Sequence, residues 1–227
     1  MNEPQQLPSG RHGLPRRFVI RNQRERLLAA TAQAVAAQGY GRTNVADIIA
    51  AAGVSRRTFY EHFADKEECF FAAYEAIVLL VFRAVEEAYS TPDDWPHKVS
   101  SGIEALVGFV VNEPEFARMF FLEAPAAGAA ARVHRDRVMA LFAQFLEPGR
   151  ELPAREIEVP QMAIQLLVGG LYEIIYSRLM RDERQQLQDD LPDMVYCALV
   201  PFTGHAQADA VRQEVLGRDL PPVVPSA

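Results

Sequence analysis

Two short helical patterns, separated by a single glycine, lie in the first third of this 227-residue chain. Val45, Ile48 and Ile49 recur at helical spacing, which gives the first of the two helices one apolar face. Gly53 allows the positive φ that a sharp reversal between helices needs, and Ser55 is suited to cap the second helix. A turn this short forces the two helices to cross steeply, so the segment predicts a helix-turn-helix unit.

The second helix has one side for burial and another for recognition. Phe59 and Phe63 are four residues apart and fall on one side, which leaves Arg56, Arg57 and Thr58 for other faces. A recognition helix contacts base edges with its N-terminal residues, and arginine matches the two acceptors of guanine. Adjacent arginines at the start of a helix are more often a solvated pair. The turn, the cap and the two phenylalanines together favour contact with the major groove of DNA.

Basic residues are concentrated at the N-terminal end of an otherwise acidic chain. The whole sequence carries 23 Lys and Arg against 30 Asp and Glu, a formal charge of −7, which alone argues against binding to nucleic acid. Residues 1–66, however, hold 10 basic and 5 acidic side chains, whereas residues 67–227 hold 13 and 25. Neutralisation of phosphates therefore favours docking through a basic head, residues 1–66, while the acidic body is repelled from the duplex.

The same region resembles the N-terminal domain of TetR-type (TetR/AcrR) bacterial transcription regulators. The likeness covers about residues 21–75 and is carried by Arg24 to Leu28, by Ala34 to Tyr40 ending in Gln-Gly-Tyr, by Thr43, Ile48 and Ala51 to Ser55, and by the run Thr58-Phe-Tyr-Glu-His-Phe-Ala-Asp-Lys-Glu. The resemblance implies an all-α fold with an N-terminal three-helix helix-turn-helix DNA-binding domain and a C-terminal helical domain for ligand binding and dimerisation. It also implies that the protein leaves its DNA operator when a ligand binds. Proteins of this family are mostly repressors.

The resemblance assigns DNA-binding roles to individual positions. Thr43 matches a position whose hydroxyl or amide meets phosphate, and Lys66, behind the predicted cap Asp65, matches one that contacts the backbone. Tyr60 and His62 match further backbone-contacting positions, although a core-edge phenol and a partly buried imidazole are equally good interpretations. The predicted DNA-binding residues are Thr43, Ser55, Arg56, Arg57, Thr58, Tyr60, His62 and Lys66.

The rest of the sequence shows helical patterns, and strand signals are weak throughout. Helices are predicted over about residues 21–38, 66–89, 95–111, 114–124, 127–147, 156–182 and 190–205, with a loop over 149–153. Pro201 should kink or end the last of them near Val200, which leaves 207–216 as a separate short helix or a frayed tail. The predicted domains are a flexible basic arm over 1–18, the DNA-binding domain over 19–65, the effector-binding and dimerisation domain over 66–216, and a tail over 217–227. The arm is either a leader without a role or a source of extra phosphate or minor-groove contacts.

The segment from Gln161 to Met180 is apolar on more than one side. A helix with two apolar sides needs two partners, so one side can face its own domain while the other meets a second copy of the chain. The resemblance supports a homodimer on a pseudo-palindromic double-stranded DNA operator. The alternative is a fully buried core helix of a monomer.

Aromatic and thioether side chains are concentrated in the middle of the C-terminal half. Such side chains usually fill the core of a helical bundle. The resemblance instead favours a pocket for an apolar small-molecule effector, aromatic or lipid-like. The predicted lining residues are Phe109, Phe116, Phe120, Met139, Phe142, Met162, Gln165 and Tyr172, and the candidate orienting groups are Asn112, His134, Arg137, Gln165 and Tyr172.

Catalysis, metal binding and membrane insertion find no support in the sequence. The five histidines are scattered, and no H-E-x-x-H, G-x-S-x-G, P-loop or G-x-G-x-x-G motif occurs. We therefore predict no catalytic residue, no metal and no cofactor. Cys69 and Cys197 have no C-x-x-C partner, which fits a reducing cytoplasm, and the most apolar run is too short to cross a bilayer. Two functional alternatives remain: a regulator or activator that binds DNA without an effector, and a helical adaptor that has lost DNA binding.

Overall fold

Helices make up all of the regular secondary structure in the part of the chain that the structure, a computed structural model, describes. These residues are 15–124, 127–152, 158–216 and 218. The predicted all-α fold, with an N-terminal helix-turn-helix domain and a C-terminal helical domain, is confirmed. The α-helices are α1 Arg16–Gln38, α2 Val45–Ala52, α3 Arg56–His62, α4 Lys66–Ser90, α5 Trp95–Asn112, α6 Pro114–Arg118, α7 Ala129–Ala143, α8 Ala163–Met180 and α9 Gln186–Val215. A π-helical turn, Met119–Glu123, follows α6, and a 3₁₀ helix, Glu147–Glu151, follows α7.

Side-chain caps define the helices of the head. Asn44 and Asp47 form a capping box at the start of α2, in which each side chain accepts a hydrogen bond from the other residue's amide. Gly53 ends α2 with φ +60, the left-handed conformation that the predicted reversal requires. Ser55 and Asp65 then cap α3 and α4, as the sequence predicts. Local chemistry therefore fixes the bounds of the two short helices.

The first helix begins at Arg16, which is earlier than the predicted start near Arg21. Pro15 precedes it with φ −57 and ψ 136, a position where the missing amide of proline leaves no helical hydrogen bond unmade. Helix α1 thus begins inside the segment predicted as an arm over 1–18. Residues 1–14 of that arm and nearly all of the predicted tail over 217–227 lie outside the described residues.

Two apolar cores stabilise the fold, and α1 contributes to both. The core of the head contains Leu27 of α1 together with Ile48, Ala52, Phe59, Phe63 and Cys69. Ala32 and Val35, further along α1, are buried in the larger core of the body, where α4, α5 and α9 pack together. Since one helix is anchored in both cores, the head and the body are joined by packing as well as by the continuous chain.

Arg150 accounts for the late start of α8. The sequence predicts a helix over 156–182, but the structure is non-helical from residue 158 and α8 begins at Ala163. The Arg150 guanidinium donates hydrogen bonds to the carbonyl oxygens of Val159, Pro160 and Gln161 at 3.0, 3.4 and 2.9 Å. These bonds satisfy carbonyl groups outside any helix and hold the segment against the 3₁₀ helix, which takes the place of much of the predicted loop over 149–153.

The last helix bends at a glycine rather than at its proline. Pro201 lies inside α9, and the predicted kink near Val200 is wrong: the backbone leaves helical geometry at Gly204, with φ 78 and ψ 171. A proline strains the preceding turn, whereas glycine adopts positive φ at little steric cost. The helical residues after Gly204 correspond to the short helix predicted over 207–216.

Gly149 generates a testable prediction about packing. A Cβ placed on it would lie 2.5 Å from Cη2 of Trp95 and 2.8 Å from Cδ1 of Phe202. We expect Gly149→Ala to destabilise the protein by about 1–3 kcal/mol, because the two rings must move apart. Urea unfolding measures the effect. The control is Gly102→Ala in α5, whose added Cβ meets Val85 Cγ1 at 3.5 Å and should change stability by less than about 1 kcal/mol; equal destabilisation by both substitutions would contradict the prediction.

Candidate functional site

Helix α3 presents one buried side and one exposed side. Phe59 and Phe63 are fully buried or nearly so in the core of the head, as the sequence predicts. Arg56, Arg57 and Tyr60 are exposed, and 89 % of the Arg57 side chain is accessible to solvent. The buried phenylalanines fix the rotation of the helix, and this rotation directs its arginines away from the protein.

The two arginines are held to different degrees. Arg57 Nε lies 3.0 Å from Glu61 Oε1, an exposed pair one helical turn apart. Such a pair contributes only about 0.3–0.5 kcal/mol, so a phosphate or base can replace Glu61 at little cost. Arg56 forms no hydrogen bond or ion pair with any residue that the structure describes. Both guanidinium groups are therefore available to a ligand.

Ser55 and Thr58 hold the start of α3. Ser55 Oγ accepts a hydrogen bond from the Thr58 amide at 3.0 Å, and the two hydroxyl oxygens are 2.9 Å apart. Ser55 is exposed, and Thr58 is partly exposed on the same end of the helix as Arg56. This geometry is that of a cap whose two hydroxyls remain accessible beside the arginines.

Two residues predicted to contact phosphate, Thr43 and Lys66, form hydrogen bonds within the chain. Thr43 is only 2 % exposed; its hydroxyl lies 2.9 Å from the Gly39 carbonyl oxygen, to which its amide also donates, and 3.3 Å from that of Ala34. We correct its expected role accordingly, because a buried, bonded hydroxyl holds the end of α1 rather than facing a phosphate. Lys66 Nζ donates to the Tyr40 carbonyl oxygen at 2.9 Å and lies 4.1 Å above the Tyr40 ring. Lys66 thus faces the end of α1, with two ammonium protons left for other partners.

His62 and Tyr60 differ in their surroundings. Burial lowers the pKa of His62, and the nearby Arg24 guanidinium lowers it further. Tyr60 is half exposed and meets Phe59 edge to face, with ring centroids 5.3 Å apart. His62 is thus the partly buried imidazole that the sequence analysis held as an alternative, whereas Tyr60 remains open to a partner.

The structure adds two arginines that the sequence analysis did not single out. Arg26 of α1 donates to the carbonyl oxygens of Ala52 and Gly53, the latter at 3.0 Å, and so fastens the turn of the helix-turn-helix unit. Arg42 is exposed immediately before α2, with its Nε on the Gln38 carbonyl oxygen at 2.6 Å. The arginine content of the head signals both in general terms, but only the fold shows which one is structural.

A carboxylate of the body reaches the end of α1. Glu123, the last residue of the π-helical turn, accepts a hydrogen bond from the Tyr40 amide at 2.9 Å, and 15 % of its side chain is exposed. Tyr40 packs on Phe70 of α4 with ring centroids 4.6 Å apart, while its carbonyl binds Lys66. Tyr40 therefore joins α1, α4 and the π-helical turn at a single residue.

The π-helical turn also forms one wall of an internal cavity. The space that the centre of a water-sized sphere can occupy in it is about 80 Å³, and all the space between its wall atoms, counting the part open to solvent, is about 680 Å³. It is lined by residues of α4, α5, the π-helical turn, α7 and α8: Val85, Tyr89, Val99, Gly102, Ile103, Leu106, Phe120, Phe121, Val138, Met139, Phe142, Phe145, Leu146, Val168, Leu171, Tyr172 and Ile175. The hydroxyls of Tyr89 and Tyr172 donate to the Phe145 and Phe121 carbonyl oxygens at 3.0 and 3.1 Å. The lining is thus almost wholly apolar, which favours a hydrocarbon or aromatic occupant.

The predicted pocket residues divide into two groups. Those that line the cavity are Phe120, Met139, Phe142 and Tyr172, and those that do not are Phe109, Phe116, Met162 and Gln165. Phe109 is a fully buried core residue, and Phe116 packs at the edge of the core. Met162 and Gln165 are exposed because the cavity-facing residues of α8, such as Val168 and Tyr172, lie on its other side.

The candidate orienting groups are also revised. Asn112 donates to the Gly108 carbonyl oxygen within its own helix, and Arg137 is exposed. His134 stacks on Phe71 at 4.6 Å, outside the cavity lining. A guanidinium near the cavity belongs to Arg135, which is also exposed but lies 4.9 Å above the Tyr172 ring.

An exposed apolar surface runs along α8. Met162, Leu166, Ile174 and Met180 are exposed, Leu166 to 68 %. Large apolar side chains at this density on one face mark an interaction surface.

The described residues contain neither a candidate metal site nor a candidate membrane-spanning helix. No group of three or more His, Cys, Asp or Glu side chains there is placed to hold a metal ion. None of the helices described above combines the length and apolar composition that crossing a membrane requires.

Comparison with known proteins agrees with the geometry. Residues 27–73 match the model of the tetR family of bacterial regulatory proteins. The HTH-type transcriptional activator FasR of Mycolicibacterium smegmatis is 26 % identical over 114 residues, 50 % of this chain and 52 % of FasR, so the chain spans about half the length of this curated relative.

Solved structures extend the likeness over most of the chain. The fatty acid degradation regulator FadR from Bacillus halodurans is 20 % identical with a TM-score of 0.64, covering 85 % of this chain and 97 % of that one. FadR from Bacillus subtilis, solved in complex with stearoyl-CoA, is 17 % identical with a TM-score of 0.68, covering 79 % and 97 %. At these identities the likeness establishes a shared fold.

The contact between Glu123 and Tyr40 can be tested by hydrogen exchange. Glu123→Ala removes the acceptor of the Tyr40 amide, and hydrogen bonds to charged groups contribute about 1.5–3 kcal/mol. We expect exchange of the Tyr40 amide to accelerate by about 10- to 100-fold. Glu123→Gln keeps an acceptor oxygen and should give a smaller change, and Glu115→Ala, an exposed residue of α6, should give none. An unchanged rate in Glu123→Ala would show that this bond does not hold the junction.

Proposed function

The chain belongs to the TetR family of bacterial regulatory proteins, and we propose that it is a dimeric, sequence-specific transcriptional repressor whose internal cavity binds an apolar effector. The single observation that supports DNA binding most strongly is the orientation of α3. Its phenylalanines are buried beneath it while Arg56, Arg57 and Tyr60 are exposed on the basic head. Such a helix fits the major groove with its N-terminal residues on base edges.

Some residues of the head would position the protein on the DNA, and others would read the base sequence. Arg56 and Arg57 would read bases, because a guanidinium matches the O6 and N7 acceptors of guanine. Exposed Arg42 and Tyr60, and the remaining ammonium protons of Lys66, would bind phosphates on either side and fix the register. Thr43 has no part in this proposal because its hydroxyl is buried.

The exposed surface of α8 supports the homodimer. Leu166 and Ile174 are slightly more than two helical turns apart on this surface, and both are exposed in the single chain. Covering them with a second copy would remove this apolar area from water and place two heads on one DNA molecule. Half-sites would then lie about one helical turn of DNA apart or somewhat further, on a pseudo-palindromic operator.

The cavity supports an effector with a hydrocarbon part. Its two hydroxyls donate to backbone carbonyl groups, so the side chains of the wall offer no free hydrogen-bond donor to an anionic ligand. FadR from Bacillus subtilis, which has the same fold, binds stearoyl-CoA, and this favours an acyl chain over a ring. Filling the cavity would move its walls, among them the π-helical turn.

The π-helical turn would transmit a change at the cavity to the head. Phe120 and Phe121 line the cavity, and Glu123 of the same turn binds the Tyr40 amide at the end of α1. A shift of this turn would displace Tyr40 and the start of α2, and with them the spacing of the two α3 helices in a dimer. Packed interfaces convert small shifts at an effector site into such rearrangements. Operator affinity would then fall, as the repressor proposal requires.

One observation favours a second candidate function. The curated relative FasR is a transcriptional activator, and its similarity extends over half of this chain. The geometry of DNA binding and of the cavity is the same for an activator, so the sign of regulation is decided by a reporter gene behind the selected operator. Lower expression with the protein present supports the repressor, and higher expression supports the activator.

DNA binding can be tested with Arg56→Ala/Arg57→Ala. An operator is first selected from random DNA with the wild-type protein, and affinity is then measured by fluorescence anisotropy. Each base contact is worth about 1–3 kcal/mol, so we expect affinity to fall about 100-fold or more, with loss of preference over random DNA. If one arginine binds phosphate instead, the salt dependence should decrease by about one counterion.

The matched control is Arg83→Ala/Arg137→Ala, which removes two exposed arginines from the body. Its affinity should remain close to that of the wild type, since only the total charge has changed. Unfolding midpoints of both double variants are compared to establish that they fold. A folded Arg56→Ala/Arg57→Ala variant that still binds its operator tightly and selectively would refute the regulator proposal.

The dimer can be tested by sedimentation equilibrium at micromolar concentration. Leu166→Glu places a carboxylate at the centre of the proposed interface, where burying an unpaired charge is strongly unfavourable. We expect this variant to sediment as a monomer and to bind the operator more weakly than the wild type. Leu79→Glu, which changes an equally prominent exposed leucine of α4, should remain dimeric. A monomeric wild type, or a dimeric Leu166→Glu, would contradict the proposed interface.

A further inference from the structure

One end of the cavity lies beside a cation. Val138, Met139 and Phe142 of α7 line the cavity, and Arg135 occupies the same face of α7 one turn before Val138 and Met139. Its guanidinium lies 4.9 Å above the ring of Tyr172, which is itself a wall residue. A single aromatic side chain therefore lies next to both the apolar interior and a positive charge.

Arg135 has no anionic partner among the residues that the structure describes. It forms no ion pair or hydrogen bond with any residue in the described ranges, although arginines elsewhere in the body do. Arg178, for example, binds both carboxylate oxygens of Asp190 at 2.7 and 2.9 Å. The guanidinium of Arg135 thus keeps all five of its donors for a ligand.

Two phenols share the environment of this cation. Burial raises the pKa of Tyr74, Tyr172 raises it further, and the Arg135 charge acts in the opposite direction. Burial likewise raises the pKa of Tyr172, and Arg135 again opposes the shift. Arg135 is therefore close to both phenols. Tyr176 and Glu173 raise the pKa of Tyr172, each to a smaller extent than Arg135 lowers it.

Tyr172 is placed to act as a movable wall. Its hydroxyl donates to the Phe121 carbonyl oxygen at 3.1 Å, across the gap between α8 and the π-helical turn. A rotation of this side chain would break that hydrogen bond, and with it a contact of the turn that carries Glu123.

We propose that Arg135 binds the anionic headgroup of a single-chain amphiphile whose hydrocarbon tail fills the cavity, with Tyr172 at the boundary between them. This inference rests on the effector proposed above and names its chemical class. The tail suits the apolar wall, where each buried methylene adds roughly fourfold to affinity. The headgroup cannot follow it, because an anion is expelled from a wall without donors. Arg135 lies beside Tyr172 of that wall and can bind the anion there.

Three probes with the same tail separate the headgroup from the hydrocarbon. Tridecanoate, dodecyl phosphate and 1-dodecanol, which share a twelve-carbon tail, are titrated below their micellar concentrations into the full-length, delipidated protein. We expect both anions to bind about 10-fold or more tightly than the alcohol, since charge-assisted hydrogen bonds are the stronger ones. The anion that loses more affinity on substitution of Arg135 identifies the headgroup as carboxylate or phosphate.

The variants isolate the role of Arg135. Arg135→Gln should lose about 10-fold in affinity for the preferred anion and keep its affinity for 1-dodecanol, which also shows that the variant is folded. Arg137→Gln removes an exposed charge from another face of the same helix and should bind all three probes as the wild type does. Tyr172→Phe, which lacks the hydroxyl on Phe121, should change operator release by the bound probe more than it changes probe affinity.

The outcomes distinguish this inference from the proposed function. Equal binding of the three probes, unchanged in Arg135→Gln, overturns the role of Arg135 and leaves an apolar effector site in place. Failure of every probe to bind overturns both the headgroup assignment and the effector part of the proposed function. DNA binding is tested separately by the α3 variants, and it stands or falls without regard to these titrations.

Discussion

The hydrogen bond from the Tyr40 amide to the Glu123 carboxylate is the contact through which the two halves of the protein depend on each other. An acceptor with only 15 % of its side chain exposed is poorly served by water, so losing its donor would cost more than a surface contact does. Tyr40 is also held by the ring of Phe70 and by Lys66 on its carbonyl oxygen. The end of α1 is thus fixed by the body on one side and leads directly into α2 on the other. A recognition helix placed by such a junction inherits its position from the body.

The π-helical turn connects that junction to the cavity. A π-helical turn inserts one residue into the regular ladder of hydrogen bonds and is seldom retained without a functional reason. Here the inserted geometry aims Phe120 and Phe121 into the cavity and Glu123 at the end of α1. A closely packed core does not deform continuously, so occupancy of the cavity and the position of the head would change together. By linkage, an effector that weakens operator binding must itself bind more weakly to the operator complex.

The sequence predicted what is decided locally and missed what is decided by packing. Capping residues and Gly53 act within a few residues, so the bounds of α2 and α3 follow from the sequence, as does the burial of Phe59. Thr43 was misplaced because its hydroxyl bonds the Gly39 carbonyl oxygen four residues earlier, in a turn whose geometry the helical pattern does not specify. Arg137 was expected near the cavity, but Arg135 is the arginine that lies over a wall residue, since helical periodicity gives the angle between residues but not which angle faces the cavity. The late start of α8 depends on Arg150, a contact between separate elements.

The cavity and its rim divide the work of recognition because of where the hydroxyls point. The hydroxyls of Tyr89 and Tyr172 donate their only protons to backbone carbonyl oxygens. The affinity of the interior for a ligand therefore depends on the apolar area that the ligand buries, at about 0.8 kcal/mol for each methylene. Such a wall binds a long tail more tightly than a short one but cannot bind an acid more tightly than an alcohol. Any discrimination by charge must therefore come from outside the wall, and the cation above the Tyr172 ring lies where a headgroup would emerge. Chain length and headgroup are in this way read by different residues, and each can change without the other.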